Sequence, residues 1–405
     1  MKIITPCYIL APNTILRDTS VVFDKTIIDI LPKEEALKKY PKAQEVLSPK
    51  NSLLIPGLIN PHVHLEFSAN KNTLEYGSFV PWLYSVIKNR EELIESCEYD
   101  CVNKAINMMI KNGITTIGAV SSYGLDFQSL KNSPMRTILF NELIGSNPAM
   151  ADGLFADFQA RVNESSKLNK ELITPAIAIH SPYSVHPILI KKAISIAKKN
   201  NMLLTAHFME SLAEREWIDN STGEFSGFFK DFLNQTQSVT TSLEFLEYFN
   251  NYPTLFTHAI YTNDKEREIL RENNHTIIHS PTSNRLLGND RLEIEKLIEN
   301  KIPFVLGTDG LSSNYTLDIF EEMKNAIFKH FKGSIHILAK KLFLNSTKEA
   351  ATALGLNAGE IKKDNLSDMV LLEPDFEIKS LNNLYLDLIL QPKNIYKTII
   401  NGEIL

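Results

Sequence analysis

Short apolar runs rich in β-branched residues alternate along the chain with longer stretches whose apolar positions recur at about a helical period. The runs are LLIPGLINPHVH (53–64), ITTIGAV (114–120), RTILFNELIG (136–145), PAIAIH (175–180), MLLTAHF (202–208), TLFTHAI (254–260), HTIIHS (275–280) and PFVLGTD (303–309). A continuous apolar run of this length, bounded by turn residues, predicts a strand buried on both faces. Between the runs, PILIKKAISIAKKNN (187–201) and NDKEREILRENN (263–274) predict helices that pack along one face. Eight such units match the arithmetic of an α/β fold of the (β/α)8 TIM-barrel type. A doubly wound open sheet is the alternative, but it ordinarily has fewer strands and a glycine-rich phosphate loop, and no such loop is found.

The two ends read differently. KIITPCYILAPNTILRDTSVVFDKTIIDILP and the tail segments SDMVLLEPDFEIKSL and PKNIYKTIINGEIL are strand-rich without intervening helices. Residues 1–52 and 362–405 are therefore expected to pair into one small β-sandwich domain, leaving 53–361 as the barrel. The stretches 165–172 and 219–242, rich in polar and small residues, are the loop candidates.

Composition narrows the partners. Of 405 residues, 43% are hydrophobic and 22% charged, and no window approaches the ~18 continuous apolar residues of a membrane span. The start MKIITPCYILAP has neither a charged leader with a long apolar segment nor a cleavage site, so the expected location is cytoplasmic. A net charge of −6 without a basic, aromatic-interleaved run speaks against nucleic acid and for a small-molecule partner. Three cysteines, Cys7, Cys97 and Cys101, contain no C-x2-C pair. They are expected to be reduced core thiols, so any metal must be held by histidine and carboxylate.

In a barrel of this kind the chemistry sits at the C-terminal ends of the strands. Here those ends carry His62 and His64, then His180, His207, His258, His279 and Asp309. Six of the ten histidines occupy strand ends, and a packed core histidine, adequate for any one of them, must be invoked again at each strand. In PHVH the two rings share a face of the strand, an arrangement that solvated faces also produce, so the pair alone leaves its role open. Two imidazoles from one strand, a third from another and one carboxylate suit a divalent cation, zinc or iron(II), with an open position for water.

The segments PGLINPHVHLE, HSPYSV, TAHFMES, THAI and GTDGLSSN resemble the amidohydrolase superfamily, in its mononuclear deaminase branch, over nearly the whole chain. The resemblance implies one divalent metal per chain, held by His62, His64, His207 and Asp309. It also implies that Glu210 shuttles protons, that Asp309 accepts one from the nucleophile, and that His258 orients the reacting water. Glu210 stands three residues after His207, where a helix-start carboxylate is otherwise ordinary. His180 replaces the bridging lysine of dinuclear relatives, which favours one metal and a ring substrate that His180 hydrogen-bonds. Ser313 and Asn314 are expected near substrate. Phe79 and Trp82 form either an aromatic wall over a purine or the core of the first helix.

Within that branch, HLEFSANKNTLEYGSFVPWLYSVI and MRTILFNELIGS resemble the aminofutalosine deaminases, close to the methylthioadenosine and S-adenosylhomocysteine deaminases. The latter type usually shows an acid just ahead of the helix-one tryptophan and a second arginine after strand three. Here SFVPW has no acid before Trp82, and RTILFNE offers Arg136, taken as a substrate contact, and then Glu142. The resemblance implies hydrolysis of the 6-amino group of aminofutalosine to futalosine and ammonia, in menaquinone biosynthesis. A methylthioadenosine, S-adenosylhomocysteine, adenosine or guanine deaminase is the enzymatic alternative. A catalytically silent barrel acting as a binding module is the non-enzymatic one, and the joint presence of four ligands and Glu210 argues against it. The expected partner is a purine nucleoside, with a homodimer as the candidate assembly.

Overall fold

The computed structural model describes residues 1–69, 74–97, 99–330 and 332–405. Eight parallel strands follow one another around a single sheet in chain order: β1 (Leu58–Val63), β2 (Ile114–Ser121), β3 (Arg136–Leu143), β4 (Ile173–Ile179), β5 (Leu204–Phe208), β6 (Leu255–His258), β7 (Thr276–His279) and β8 (Phe304–Leu306). The Asp309 N–H, just past β8, donates to His62 O at 3.1 Å and brings the last strand back to the first. The barrel expected from the alternating pattern is therefore present.

Side-chain alternation splits its core in two. Ile138, Phe140, Ala176, Ala178, Ile278 and Val305 pack together inside the barrel, while Ile177, Ile179, Phe208, Phe256, Ile277 and Leu306 join the outer layer under the helices. Buried on both faces, these strands are apolar almost throughout. The polar residues are left to the rim.

The chain ends build two more sheets. One orders Ile27–Pro32, Thr19–Phe23, Lys2–Ile4 and Gln44–Val46; the other orders Glu403–Ile404, Lys393–Ile400, Met369–Pro374, Leu53–Pro56, Tyr8–Ala11 and Thr14–Leu16. Ile4, Val21 and Phe23 of the first meet Ile9, Leu54, Leu371 and Ile399 of the second in one buried cluster, as in a sandwich.

Local expectations fail where periodicity was ambiguous. Leu53–Pro56, read as the opening of the first barrel strand, instead pairs with Tyr8–Ala11 and Met369–Pro374. Gly57 separates it from β1 at a point where a Cβ would collide with Thr115. The tail contains a helix, Leu381–Leu390, which buries Leu384, Tyr385, Leu388 and Ile389 on one face. Cys97 and Cys101 form a disulfide and Cys7 is exposed, against the expectation of three reduced core thiols.

Three helices frame the site: α1 (Phe79–Ser96), α2 (Leu212–Asn220) and α3 (Glu224–Leu233). The last lies within the expected 219–242 loop, because Phe225, Phe228, Phe229 and Phe232 recur at helical spacing despite the surrounding small and polar residues. Among the described residues no helix is long and apolar enough to cross a membrane.

Candidate functional site

At the C-terminal rim the rings of β1 and β5 converge. Ligand atoms of His62, His64 and His207 lie within 4.8 Å of one another, as do those of Glu210, His258 and Asp309. His64 Nε2 is 3.3 Å from His207 Nε2, and Asp309 Oδ1 is 3.5 Å from His62 Nε2 and 3.7 Å from His64 Nε2. Glu210 Oε1 stands 3.4 Å from His258 Nε2.

Two kinds of backbone bring these groups inward. His180 continues the inward set of Ala176 and Ala178, and His207 is two residues beyond the buried Thr205. His258, by contrast, shares the parity of outward-packed Phe256, and Asp309 lies in the turn beyond β8. Both have left-handed backbones, with φ of 74° and 61°. Non-glycine residues there are strained, and the strain re-aims their side chains into the barrel mouth.

Outer hydrogen bonds then fix the rings. His207 Nδ1 donates to His180 O at 2.8 Å, and His258 Nδ1 donates to Asn284 Oδ1 at 2.8 Å. A proton on Nδ1 leaves the Nε2 lone pair facing the centre. Asp309 Oδ2 accepts from Ser283 Oγ at 2.8 Å and Ser313 Oγ at 2.7 Å, while Oδ1 accepts from Gly310 N–H at 2.8 Å. Burial pushes the imidazoles of His64, His180 and His258 down to about 4, and that of His207 well below the ordinary range. They are neutral near pH 7. Burial first, then the Asp309 and Glu214 carboxylates, raise Glu210 well above the usual carboxylate range, so it tends to hold a proton.

This donor set fits a cation. Among the described residues, Nε2 of both His62 and His258 is buried without a hydrogen-bond partner, an arrangement native cores avoid unless something else occupies the lone pair. Three imidazole nitrogens and a carboxylate are the ligand types a zinc-like ion takes. A second group, Glu142, His180 and His207, also lies within 4.8 Å. It shares His207, whose Nδ1 is committed to His180 O, and the single remaining lone pair cannot serve two ions.

Residues 53–405 match the amidohydrolase family. The chain belongs to that family. It is 48% identical over 403 residues to the aminodeoxyfutalosine deaminase of Nitratiruptor sp., covering 100% of this chain and 99% of the relative. An adenosine deaminase of Helicobacter pylori is 34% identical over 362 residues, covering 88% of this chain and 87% of that protein. The crystal structure of Helicobacter pylori aminofutalosine deaminase in complex with methylthio-coformycin superimposes with a TM-score of 0.91 at 32% identity, over 100% of both chains.

The amidohydrolase centre opens into a cleft of about 410 Å³. His64, His180, His207, Glu210, His258 and Asp309 all line it, together with Phe79 and Trp82. Trp82 Nε1 donates to Ser312 O at 2.9 Å, which seats α1 against the rim. Residues 70–73, within the stretch quoted between His64 and Ile87, lie outside the described residues.

Other expected substrate contacts are turned elsewhere. Ser313 faces the Asp309 carboxylate, and its neighbour Ser312 lines the cleft instead. Asn314 Nδ2 donates to Thr308 O at 2.6 Å and to Glu322 Oε1 at 2.8 Å, tying down the turn. His279 has the outward parity of Ile277 and meets His330 Nε2 at 3.2 Å. Arg136 begins β3, six residues and so ~20 Å from the rim end at Glu142. Its Nε and Nη2 donate to Asp368 at 2.6 and 3.2 Å, joining the barrel floor to the terminal sandwich. Arg136→Ala, which strands a buried carboxylate, should destabilise the fold by about 3–5 kcal/mol while leaving KM unchanged. Urea unfolding beside steady-state kinetics checks this, and a raised KM at unaltered stability would return Arg136 to substrate binding.

Several working residues escaped the sequence reading. Glu214, fully buried on α2, accepts the backbone N–H groups of Met209 at 3.0 Å and Glu210 at 2.7 Å, fixing the turn that presents Glu210. Asn284 and Ser283 hold His258 and Asp309 from the segment after β7. Glu66 accepts from the N–H groups of Ser122, Tyr123 and Leu125 and shapes the loop after β2. The acid two residues beyond His64 in HVHLE was the one available signal.

Proposed function

We propose that this amidohydrolase is a metal-dependent hydrolytic deaminase that removes the 6-amino group of aminofutalosine, giving futalosine and ammonia. The observation that carries it is the meeting, at the head of one cleft, of the His62, His64 and His207 imidazoles and the Asp309 carboxylate with Glu210 and His258. Full-length similarity to aminodeoxyfutalosine deaminase supports the substrate.

One divalent cation per chain, zinc ahead of iron(II), suits the ligands, and when bound it would supply Lewis acidity and ease the deprotonation of water. His258, with Nδ1–H on Asn284, offers Nε2 as the acceptor that orients this water. Glu210 protonates purine N1 as the water oxygen adds to C6. Asp309 takes the remaining hydroxyl proton of the adduct and returns it to the departing amine. N1 keeps its proton in the lactam product, and the Glu210 carboxylate, freed as N1 is protonated, takes the first proton of the adding water. His180 and Trp82 hold the ring, and the buried, unpartnered Oε1 of Glu142 is an acceptor for a ribose hydroxyl, in place of the missing acid before Trp82.

Methylthioadenosine is the second reading, favoured by the methylthio-coformycin held in the related Helicobacter pylori structure. Ammonia release by metal-loaded protein separates the two. kcat/KM for aminofutalosine should exceed that for adenosine by about tenfold or more, since adenosine forfeits the binding energy of the 5′ arm. Preference for S-adenosylhomocysteine, or turnover of guanine alone, would overturn the substrate assignment.

A further inference from the structure

The deaminase reading sets an aryl carboxylate at the far end of the substrate, and we propose that Arg90 is the specificity residue that binds it. The inference rests on that reading and deepens it.

The cleft continues outward from the metal-ready centre along one stripe of α1. Trp82, Leu83, Val86, Ile87 and Arg90 all line it, at spacings that place them on one helical face. Trp82 is anchored beside the centre through Ser312 O, three residues from Asp309. A rise of 1.5 Å per residue puts Arg90 ~12 Å further out, beyond the reach of a purine and ribose but within that of a short aryl arm. The intervening wall is apolar. Phe228 and Phe232 of α3 pack on Tyr84 of α1 with ring centroids 5.3 and 5.5 Å away, and both also line the cleft. Such walls take a flat ring.

Charge sets the direction of binding. Among the described residues that line the cleft, Arg90 is the one lysine or arginine, whereas Glu142, Glu210 and Asp309 gather at the inner end. With the purine inserted first, the substrate's carboxylate is left at the outer end beside Arg90, away from the acidic side chains of the inner end. Arg90 sits at the mouth beside Tyr123, also a lining residue, where a planar guanidinium can grip a carboxylate with two parallel hydrogen bonds. Because Arg90 is solvent-exposed, the contact is partly screened and its effect is moderate.

The test compares wild type, Arg90→Met and Arg90→Lys on three substrates: aminofutalosine, its analogue lacking the carboxylate, and methylthioadenosine, which has no arm. Arg90→Met should lower kcat/KM for aminofutalosine by about 10–100-fold, mainly through KM, while methylthioadenosine changes by less than about threefold. Arg90→Lys should recover part of the loss. For wild type, removing the carboxylate from the substrate should cost the same factor, and Arg90→Met should show no further loss on that analogue. Equal losses on all three substrates, with or without a fall in melting temperature, would make Arg90 a structural residue and overturn the proposal. Wild type that prefers aminofutalosine, with Arg90→Met keeping that preference, overturns Arg90 alone. Wild type without the preference overturns the substrate reading, and Arg90 with it.

Discussion

Glu210→Gln is expected to keep its metal and to lose about 10²–10⁴-fold in kcat. The side chain stands in the cleft beside His258, and its backbone is pinned by Glu214 in a turn where Met209 itself is left-handed at φ 50°. Glutamine fills the same space and can still donate a hydrogen bond toward N1, so KM should change little. It cannot give up a proton, and the barrier to rehybridising C6 rises accordingly. The His62, His64, His207 and Asp309 set is untouched, so metal content should equal that of wild type. Metal analysis paired with single-turnover kinetics checks both halves. Turnover within about threefold of wild type would reassign Glu210 to the structural network that Glu214 already serves.

That role came to Glu210 from the family resemblance of TAHFMES, since its position after a strand-end histidine is by itself ordinary, and strand ends were the legible part of this chain. Alternation carries His180 and His207 inward on the same parity as Ala176, Ala178 and Thr205, so a two-residue period and a barrel rule suffice to find them. The same rule fails at β6 and β7. His258 and His279 have matching outward parity, yet the left-handed turn at His258 and Ala259 directs one inward, and nothing local to HTIIHS or THAI distinguishes them. Arg136 was misread against the same rule. Its strand does reach the site, but at the C-terminal end where Glu142 lies, whereas Arg136 opens the strand on the opposite side of the barrel. Asn284, Ser283 and Glu214 act through contacts with residues brought near by the barrel or by a local turn, and from the sequence each is an ordinary polar helix residue. The aromatic wall of α3 was hidden by composition: Gly223, Gly227 and nearby Ser, Thr and Asn obscured a four-phenylalanine helical face.

Removing the metal should abolish turnover and lower the melting temperature, and one equivalent of zinc per chain should restore both. The buried Nε2 of His62 has no hydrogen-bond partner among the described residues, and Asp309 Oδ1 lies 3.5 and 3.7 Å from the imidazoles of His62 and His64, the second of which burial keeps from charging readily. Without a cation these lone pairs face one another. With one, binding to the folded state alone adds about 4 kcal/mol of stability at a free-ion concentration a thousandfold above Kd. The stoichiometry follows from His207: its Nδ1–H is held on His180 O, so its one lone pair can join His62 and His64 or join Glu142 and His180, never both. Glu142→Gln should therefore leave one equivalent bound, whereas His207→Ala should leave much less and lose the stabilisation by zinc as well. Elemental analysis and a chelator titration followed by calorimetry decide the matter. Two equivalents per active chain, falling to one in Glu142→Gln, would show that the Glu142 and His180 group is a second metal site and would take those two residues away from the substrate.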